Sequence, residues 1–154
     1  MIVLTTDVLI LANGKSSRYI SRTNKQKIKI NGVSIIDIAV SKFLALKQIR
    51  DIYLITDDIS LKNRSKYKDK FISIKGGSSR AKSVFSGLNY LLNKEPPKNV
   101  IIHDVVRPII DKNDLKNLVS YSSKIKTGIG FGYPLTNALK EVGKNNVIKK
   151  NIKK

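Results

Sequence analysis

The chain has 154 residues, 41% of them hydrophobic, which is the usual size of one domain with a single sizeable core. The absence of cysteine and the presence of one histidine, His103, exclude disulfides, thiol catalysis, cysteine-ligated metals and histidine-cluster metal sites. The formal net charge of +19 comes mostly from scattered lysines, and with only 6% aromatic residues it favours a solvated surface over a nucleic-acid-binding face.

The first predicted element is a buried strand at residues 8–11, where four apolar residues follow one another. Asp7 precedes this run and Lys15 follows it, so the apolar stretch is too short to span a membrane. We therefore expect a soluble protein without a membrane partner or a targeting segment. The lack of cysteine is compatible with a reducing cytoplasm.

A loop of small residues follows this strand, and cations stand behind the loop. Its members are Ala12, Asn13, Gly14, Ser16 and Ser17, with Arg18 and Lys25 after them. Small side chains let backbone N–H groups approach a polyphosphate, and the cations supply charge. The loop is neither a P-loop nor a GxGxxG motif, so a solvated surface loop is the alternative interpretation.

Helices and strands then alternate along the chain. We predict an extended piece with a turn at residues 28–32, an amphipathic helix at 34–48 capped by Ser34, and a strand at 51–56 that ends in Asp57 and Asp58. An exposed lysine-rich segment at 62–70 precedes a short strand at 71–74 and a helix at 80–92. A buried strand at 99–104, a helix at 113–122 and a glycine-spaced strand at 127–134 follow, and a hairpin turned at 143–146 comes last.

This alternation predicts an α/β fold, in which a Rossmann-like, mainly parallel sheet has helices on both faces and a C-terminal β-hairpin arm. Ligands bind such sheets outside the C-terminal ends of the strands. Polar loops follow three strands there, at residues 12–18, 76–80 and 103–107. We expect these loops to converge on one edge of the sheet.

The same loops carry three motifs of a known family. ANGKSSR at residues 12–18, with NKQ at 24–26, resembles AAGxGxR followed by PKQ, with the same spacing from Gly14 to Lys25. GGSSRAKSV at 76–84 resembles GGxxRxxSV, and HDVVRP at 103–108 resembles HDAARP. In the order of these motifs and in the intervals between them, the chain is similar to the cytidylyltransferases that act on 2-C-methyl-D-erythritol 4-phosphate in isoprenoid precursor synthesis. A related branch that acts on ribitol 5-phosphate has similar motifs and is the alternative.

The resemblance implies an enzyme that transfers a cytidylyl group from CTP to a polyol phosphate, with Mg²⁺ as cofactor and pyrophosphate as second product. It makes Arg18 and Lys25 the catalytic cations. Asp104 would face the ribose and bind the magnesium ion, Arg80 would brace its loop, and Arg107 would support that corner of the site. The resemblance further assigns the triphosphate to Ala12, Asn13, Gly14 and Ser16, and the cytosine pocket to Gly76, Gly77 and Ser83.

The chain departs from the family pattern at several positions. Asn13, Ser16 and Asn24 replace Ala, Gly and Pro, while Asn137 and Ala138 stand where the Asp and Thr of PxxDT are expected. Family members also continue beyond the position of Lys154. We expect a single nucleotidyltransferase-like domain over residues 1–154 that is incomplete at its C-terminus, and residues 137–152 are a candidate arm of a homodimer. A degenerate relative that binds CTP without turnover is one alternative, and a basic nucleic-acid-binding protein is another.

Overall fold

A four-stranded sheet with helices on both faces forms the centre of the structure, a computed structural model that describes residues 6–14, 25–122, 124–134 and 136–152. In chain order, the elements are β1 (Thr6–Leu11), a 3-10 helix (Lys25–Lys27), β2 (Lys29–Ile30), β3 (Val33–Ser34), α1 (Ile35–Leu44), β4 (Ile49–Ile55), α2 (Ile59–Asn63), β5 (Ile72–Ile74), α3 (Arg80–Leu92), β6 (Asn99–Asp104), α4 (Lys112–Ser122), β7 (Leu139–Val142), a 3-10 helix (Lys144–Asn146) and β8 (Ile148–Ile152).

The strands of the main sheet are ordered β5-β4-β1-β6, and each neighbouring pair is parallel. All six residues of β1 are buried, as expected for a central strand of a parallel sheet. Two small antiparallel pairs, β2 with β3 and β7 with β8, lie outside this sheet. The predicted mainly parallel α/β fold with a C-terminal hairpin is confirmed.

Alternate residues of β1 supply the two hydrophobic faces. Val8 and Ile10 belong to a core cluster with residues of α1 and α4. Leu9 and Leu11 belong to a second cluster, which includes Leu91 of α3. The period of two along the strand therefore distributes the helices between the two faces of the sheet.

The local signals at α1 act as the sequence predicts. The side chain of Ser34 accepts a hydrogen bond from the backbone N–H of Asp37 at 3.1 Å, which satisfies one unpaired donor of the first turn. The preceding turn between β2 and β3 contains Asn31 and Gly32, both with positive φ, as its Asn-Gly sequence favours. The helix is shorter than predicted: it ends at Leu44, with Ala45 as its C-cap residue, and β4 already begins at Ile49.

Two strand predictions need correction. Residues 127–134 were expected to form a strand, but they are irregular and exposed, because Gly128, Gly130 and Gly132 supply no side chains to pack. The strand at Asn99–Asp104 forms as predicted but is only partly buried, and Ile102 is 41% exposed. Within the described part of the chain, β6 is an edge strand of the sheet, which explains its exposure.

A buried ion pair connects β1 and β4 near the start of β1. Asp7 is fully buried, and its two carboxylate oxygens accept hydrogen bonds from Nε and Nη2 of Arg50 at 2.9 and 2.8 Å. This bidentate geometry compensates the burial of the carboxylate. Among the described residues, no helix combines the length and the apolar character needed to cross a bilayer.

Candidate functional site

Three loops meet at the C-terminal edge of the main sheet, and hydrogen bonds of Asn13 join them. The Nδ2 atom of Asn13 donates to the carbonyl oxygen of Gly77 at 2.9 Å and to Oδ2 of Asp57 at 3.0 Å. The backbone N–H of Asp57 donates to Oδ1 of Asn13 at 3.1 Å, and Oδ1 of Asp57 accepts from the N–H of Gly76 at 3.0 Å. The loops after β1, β4 and β5 therefore form one connected wall.

Asp104 at the end of β6 ties a fourth segment to this edge. Its Oδ1 atom accepts from Nε of Arg80 at 3.0 Å, and its Oδ2 atom lies 3.7 Å from Nε of Arg107. Both arginine side chains are mostly exposed, whereas the Asp104 side chain is 26% exposed. The two guanidinium groups are therefore held beside the site while they remain accessible to an anion.

The glycine loop at residues 76–77 is packed too closely for larger residues. A Cβ atom at Gly76 would lie 2.4 Å from Nδ2 of Asn13, and one at Gly77 would lie 2.4 Å from Cβ of Lys82. The hydroxyl of buried Ser83 accepts from the N–H of Gly77 at 3.0 Å, so the start of α3 fixes the loop from behind. Glycine is required here by close approach of neighbouring groups.

The first predicted phosphate loop is only partly within the described residues. Ala12, Asn13 and Gly14 lie there, and the carbonyl oxygen of Gly14 accepts from Nε2 of Gln26 at 2.6 Å. Ser16 and Arg18 lie outside the described residues. Lys25 begins the 3-10 helix that contains Gln26, so the bond to Gly14 brings this helix to the same loop.

Two cavities lie near these groups. The smaller has a volume of about 410 Å³ and is lined by Ala12, Asn13, Gly14, Gln26, Asp57, Asp58 and Ile59. Hydrogen bonds from Ser60 and the ammonium of Lys27, 2.9 Å away, lower the pKa of Asp58 to about 2, so this carboxylate is ionised at neutral pH. The larger cavity, about 870 Å³, lies against β6 and α4, and its lining combines apolar side chains with the charged residues Lys98, Arg107, Asp111 and Asp114.

His103 lies on the side of this larger cavity and not among the polar groups of the wall. Burial lowers its pKa to about 4, and its Nε2 atom has no hydrogen-bond partner. Its ring packs edge-on against Phe43, with the ring centroids 5.3 Å apart. His103 is therefore neutral at pH 7 and serves packing in this arrangement.

The structure thus brings together most of the residues that the sequence singles out. Contacts join members of all three predicted loops, namely Asn13, Gly76, Gly77, Arg80, Ser83, Asp104 and Arg107. Sequence reasoning missed Asp57 as a member of the site, although its position directly after a buried strand was a usable signal. Among the described residues, no group of three or more His, Asp or Glu side chains could hold a metal ion by itself.

Comparisons with known proteins agree with the motifs. Residues 6–154 match the profile of a family described as IspD, 2-C-methyl-D-erythritol 4-phosphate cytidylyltransferase. A protein of that name from Vibrio parahaemolyticus is 30% identical over 143 residues, and the match covers 91% of this chain and 61% of the relative. The chain therefore spans about three fifths of the length of this curated relative.

Solved structures show the same fold. The crystal structure of the Francisella tularensis 2-C-methyl-D-erythritol 4-phosphate cytidylyltransferase is 25% identical with a TM-score of 0.75, and the match covers 97% of this chain and 66% of that one. A 4-diphosphocytidyl-2C-methyl-D-erythritol synthase is 17% identical with a TM-score of 0.80, covering 99% and 70% of the two chains. At that identity, the second likeness concerns the fold alone.

Proposed function

Because the chain belongs to the 2-C-methyl-D-erythritol 4-phosphate cytidylyltransferase family, we propose that it transfers a cytidylyl group from CTP to 2-C-methyl-D-erythritol 4-phosphate in isoprenoid precursor synthesis. One observation carries this proposal beyond family membership. The family's motif loops contact one another at one edge of the sheet, through Asn13 with Gly77 and through Arg80 with Asp104. A cytoplasmic location is part of the proposal.

The proposed reaction needs no nucleophile from the protein. An oxygen of the acceptor's phosphate attacks the α-phosphorus of CTP in line, a P–O bond forms, and the bond to the β-phosphate breaks to release pyrophosphate. The attacking oxygen is already anionic, so no base has to remove a proton. Catalysis then consists of positioning and of stabilising negative charge on the phosphoryl oxygens.

In this proposal, each loop has its own task. Arg18 and Lys25 stabilise charge on the reacting phosphate, and the residues around Gly14 hold the triphosphate. Arg107 supports the ribose side of the site through Asp104, and Arg80 joins that side to the glycine loop. The remaining assignments are Ala12, Asn13 and Ser16 to the phosphates, and Gly76, Gly77 and Ser83 to the cytosine.

Asp104 fits a magnesium ion that is shared with the nucleotide. Each of its oxygens contacts one arginine and keeps a further lone pair, and its side chain is partly accessible. Mg²⁺ commonly binds one or two carboxylates together with substrate phosphates, so a lone carboxylate at this edge is sufficient. The ion would neutralise charge on the phosphate oxygens, and Asp104 would hold it.

We propose one nucleotidyltransferase-like domain over residues 1–154 that assembles as a homodimer. The hairpin of β7 and β8 supports this, because both strands are exposed along their whole length and carry apolar side chains at Leu139, Val142, Ile148 and Ile152. Exposed apolar side chains on a projecting hairpin are typical of a contact surface. In the proposed dimer, each subunit exchanges this arm with the other.

The decisive experiment is titration of CTP with Mg²⁺ into the purified protein, beside ATP and beside the variant Lys25→Ala. We expect selective binding of CTP and release of pyrophosphate with the erythritol phosphate. Lys25→Ala removes one charge-stabilising group from the phosphoryl transfer site, so we expect the rate of pyrophosphate release to fall by roughly 10²–10³-fold. Lys116→Ala, on the exposed face of α4, is a matched control that should retain wild-type activity.

The polyol phosphate that accepts the cytidylyl group identifies which reaction the protein catalyses. Faster turnover with ribitol 5-phosphate would contradict the proposed substrate, and CTP binding without turnover on either acceptor would identify a binding protein that has lost catalysis. Equal binding of CTP and ATP by folded protein would contradict the cytidylyl specificity. Circular dichroism establishes the folded state of each variant.

A further inference from the structure

We propose that Asn13 and Asp57 form a clamp that positions the glycine loop of residues 76–77 and makes the nucleotide pocket select cytosine over uracil. The inference rests on the proposed function and extends it, because neither side chain needs to touch the reacting phosphate. Both are positioning residues in this proposal. Asp57 belongs to none of the three motifs.

The clamp is a closed set of hydrogen bonds between segments far apart in sequence. Asn13 uses both polar atoms of its side chain, donating to Asp57 and to the carbonyl of Gly77 and accepting from the N–H of Asp57. Asp57 uses one carboxylate oxygen for Asn13 and the other for the N–H of Gly76. Positions 13, 57 and 76–77 follow three neighbouring strands, so the clamp fixes the spacing of three loops.

The side chain of Asn13 and the backbone at Gly76 are also complementary in shape. The Asn13 side chain fills the space where a Cβ atom at Gly76 would stand, with contacts of 2.4 to 2.8 Å to three of its side-chain atoms. Asparagine at position 13 and glycine at position 76 are therefore matched to each other. The family motif has alanine at position 13, so this tie is a departure of this chain from the pattern.

The clamp also decides which hydrogen-bonding groups the loop offers to a base. The N–H of Gly76 is bonded to Asp57, and the N–H of Gly77 is bonded to Ser83. The carbonyl oxygen of Gly77 already accepts from Nδ2 of Asn13 and from the hydroxyl of Ser83. With both donors and this carbonyl occupied, the group of this wall that keeps free lone pairs is the Asp57 carboxylate, which is an acceptor. An acceptor wall favours the 4-amino group of cytosine and disfavours the 4-carbonyl of uracil.

The test compares CTP and UTP binding, in the presence of Mg²⁺, for wild type, Asn13→Ala, Asp57→Ala and the double variant. We expect each single variant to weaken CTP binding about tenfold and to reduce the CTP-to-UTP affinity ratio, most strongly for Asp57→Ala, which frees the N–H of Gly76. Because both residues belong to one network, the double variant should be little worse than Asp57→Ala alone. Asn93→Ala, at the far end of α3, is the matched control and should leave both affinities unchanged.

A second readout does not depend on the nucleotide. Amide hydrogen exchange of Gly76 in the free protein should be slow in wild type and at least tenfold faster in Asp57→Ala, since its acceptor is removed. Wild-type affinity ratios in Asn13→Ala and Asp57→Ala would overturn the clamp and leave the proposed function intact. Absence of CTP binding by folded wild type would overturn the proposed function itself, and the clamp's role in base selection with it.

Discussion

His103 is a residue whose charge is governed by its surroundings. It is 8% exposed, and burial lowers its pKa from 6.5 to about 4, which outweighs the attraction of neighbouring Asp104. Between these two pH values the unfolded chain binds more protons than the folded one, so the free energy of unfolding falls as the pH falls from about 6.5 to about 4. The loss due to His103 should be on the order of 2 kcal/mol between pH 7 and pH 5.

Urea unfolding of wild type and His103→Gln at both pH values measures this contribution. Glutamine does not titrate, so the variant should lose less stability than wild type on going from pH 7 to pH 5. Comparing the two proteins removes the contributions of the carboxylates, which they share. Equal losses in both would mean that His103 is protonated in the folded state.

For single residues, the sequence predicts which ones surround the site better than it predicts which of them form hydrogen bonds or ion pairs with one another. Position after a strand is a local property, and it correctly brings Asn13, Gly77 and Asp104 to one edge. The pairing of Arg80 with Asp104 joins positions 24 residues apart, and many other acids and bases were available on this lysine-rich chain. Which of them meet depends on loop geometry, which no local pattern encodes.

Among the elements, α3 makes an especially close contact with the sheet at Gly87. A Cβ atom at Gly87 would lie 2.7 Å from Cδ1 of Leu9 and 3.2 Å from Cδ1 of Ile55, both fully buried. Gly87→Ala gains about 1 kcal/mol of helix propensity but overpacks the core by roughly 1–3 kcal/mol. We expect a net loss of about 1 kcal/mol in the free energy of unfolding, measured by urea titration.

The neighbouring Ser86→Ala is the control for Gly87→Ala, because Ser86 is only half-buried and its hydroxyl donates to the carbonyl of Lys82 within the same helix. It should change stability by less than about 0.5 kcal/mol. Greater stability of Gly87→Ala than of wild type would show that Leu9 and Ile55 adjust without strain. The close packing of α3 would then have no energetic significance.

The elements show where sequence patterns are sufficient. The helix at Arg80–Leu92 has the predicted bounds, because apolar residues at helical spacing agree with a serine cap at Ser79. The strand predicted at residues 127–134 is wrong, since a strand also needs a partner for its backbone, and apolar residues between glycines do not supply one. Periodicity indicates which face of a helix or strand is apolar, but it does not indicate which other element packs against or pairs with it.

For the whole molecule, a charge of +19 has opposite effects on its two proposed interactions. It attracts a nucleotide triphosphate to the site, and this attraction weakens as salt screens it. It also opposes the association of two copies, most directly at the hairpin, which carries Lys140, Lys144, Lys149 and Lys150. Salt should therefore weaken CTP binding while it strengthens the dimer.

Light scattering after size exclusion tests the proposed dimer. We expect twice the mass of the chain, and a dimer dissociation constant that decreases from 50 to 500 mM salt. Val142→Asp with Ile148→Asp, which replaces two exposed apolar side chains of the hairpin, should produce monomers because it places buried charges in the contact. Leu92→Asp, at a still more exposed apolar side chain at the end of α3, should stay dimeric. A wild-type monomer at every salt concentration would exclude the exchanged arm and leave the nucleotide site of each subunit to act alone.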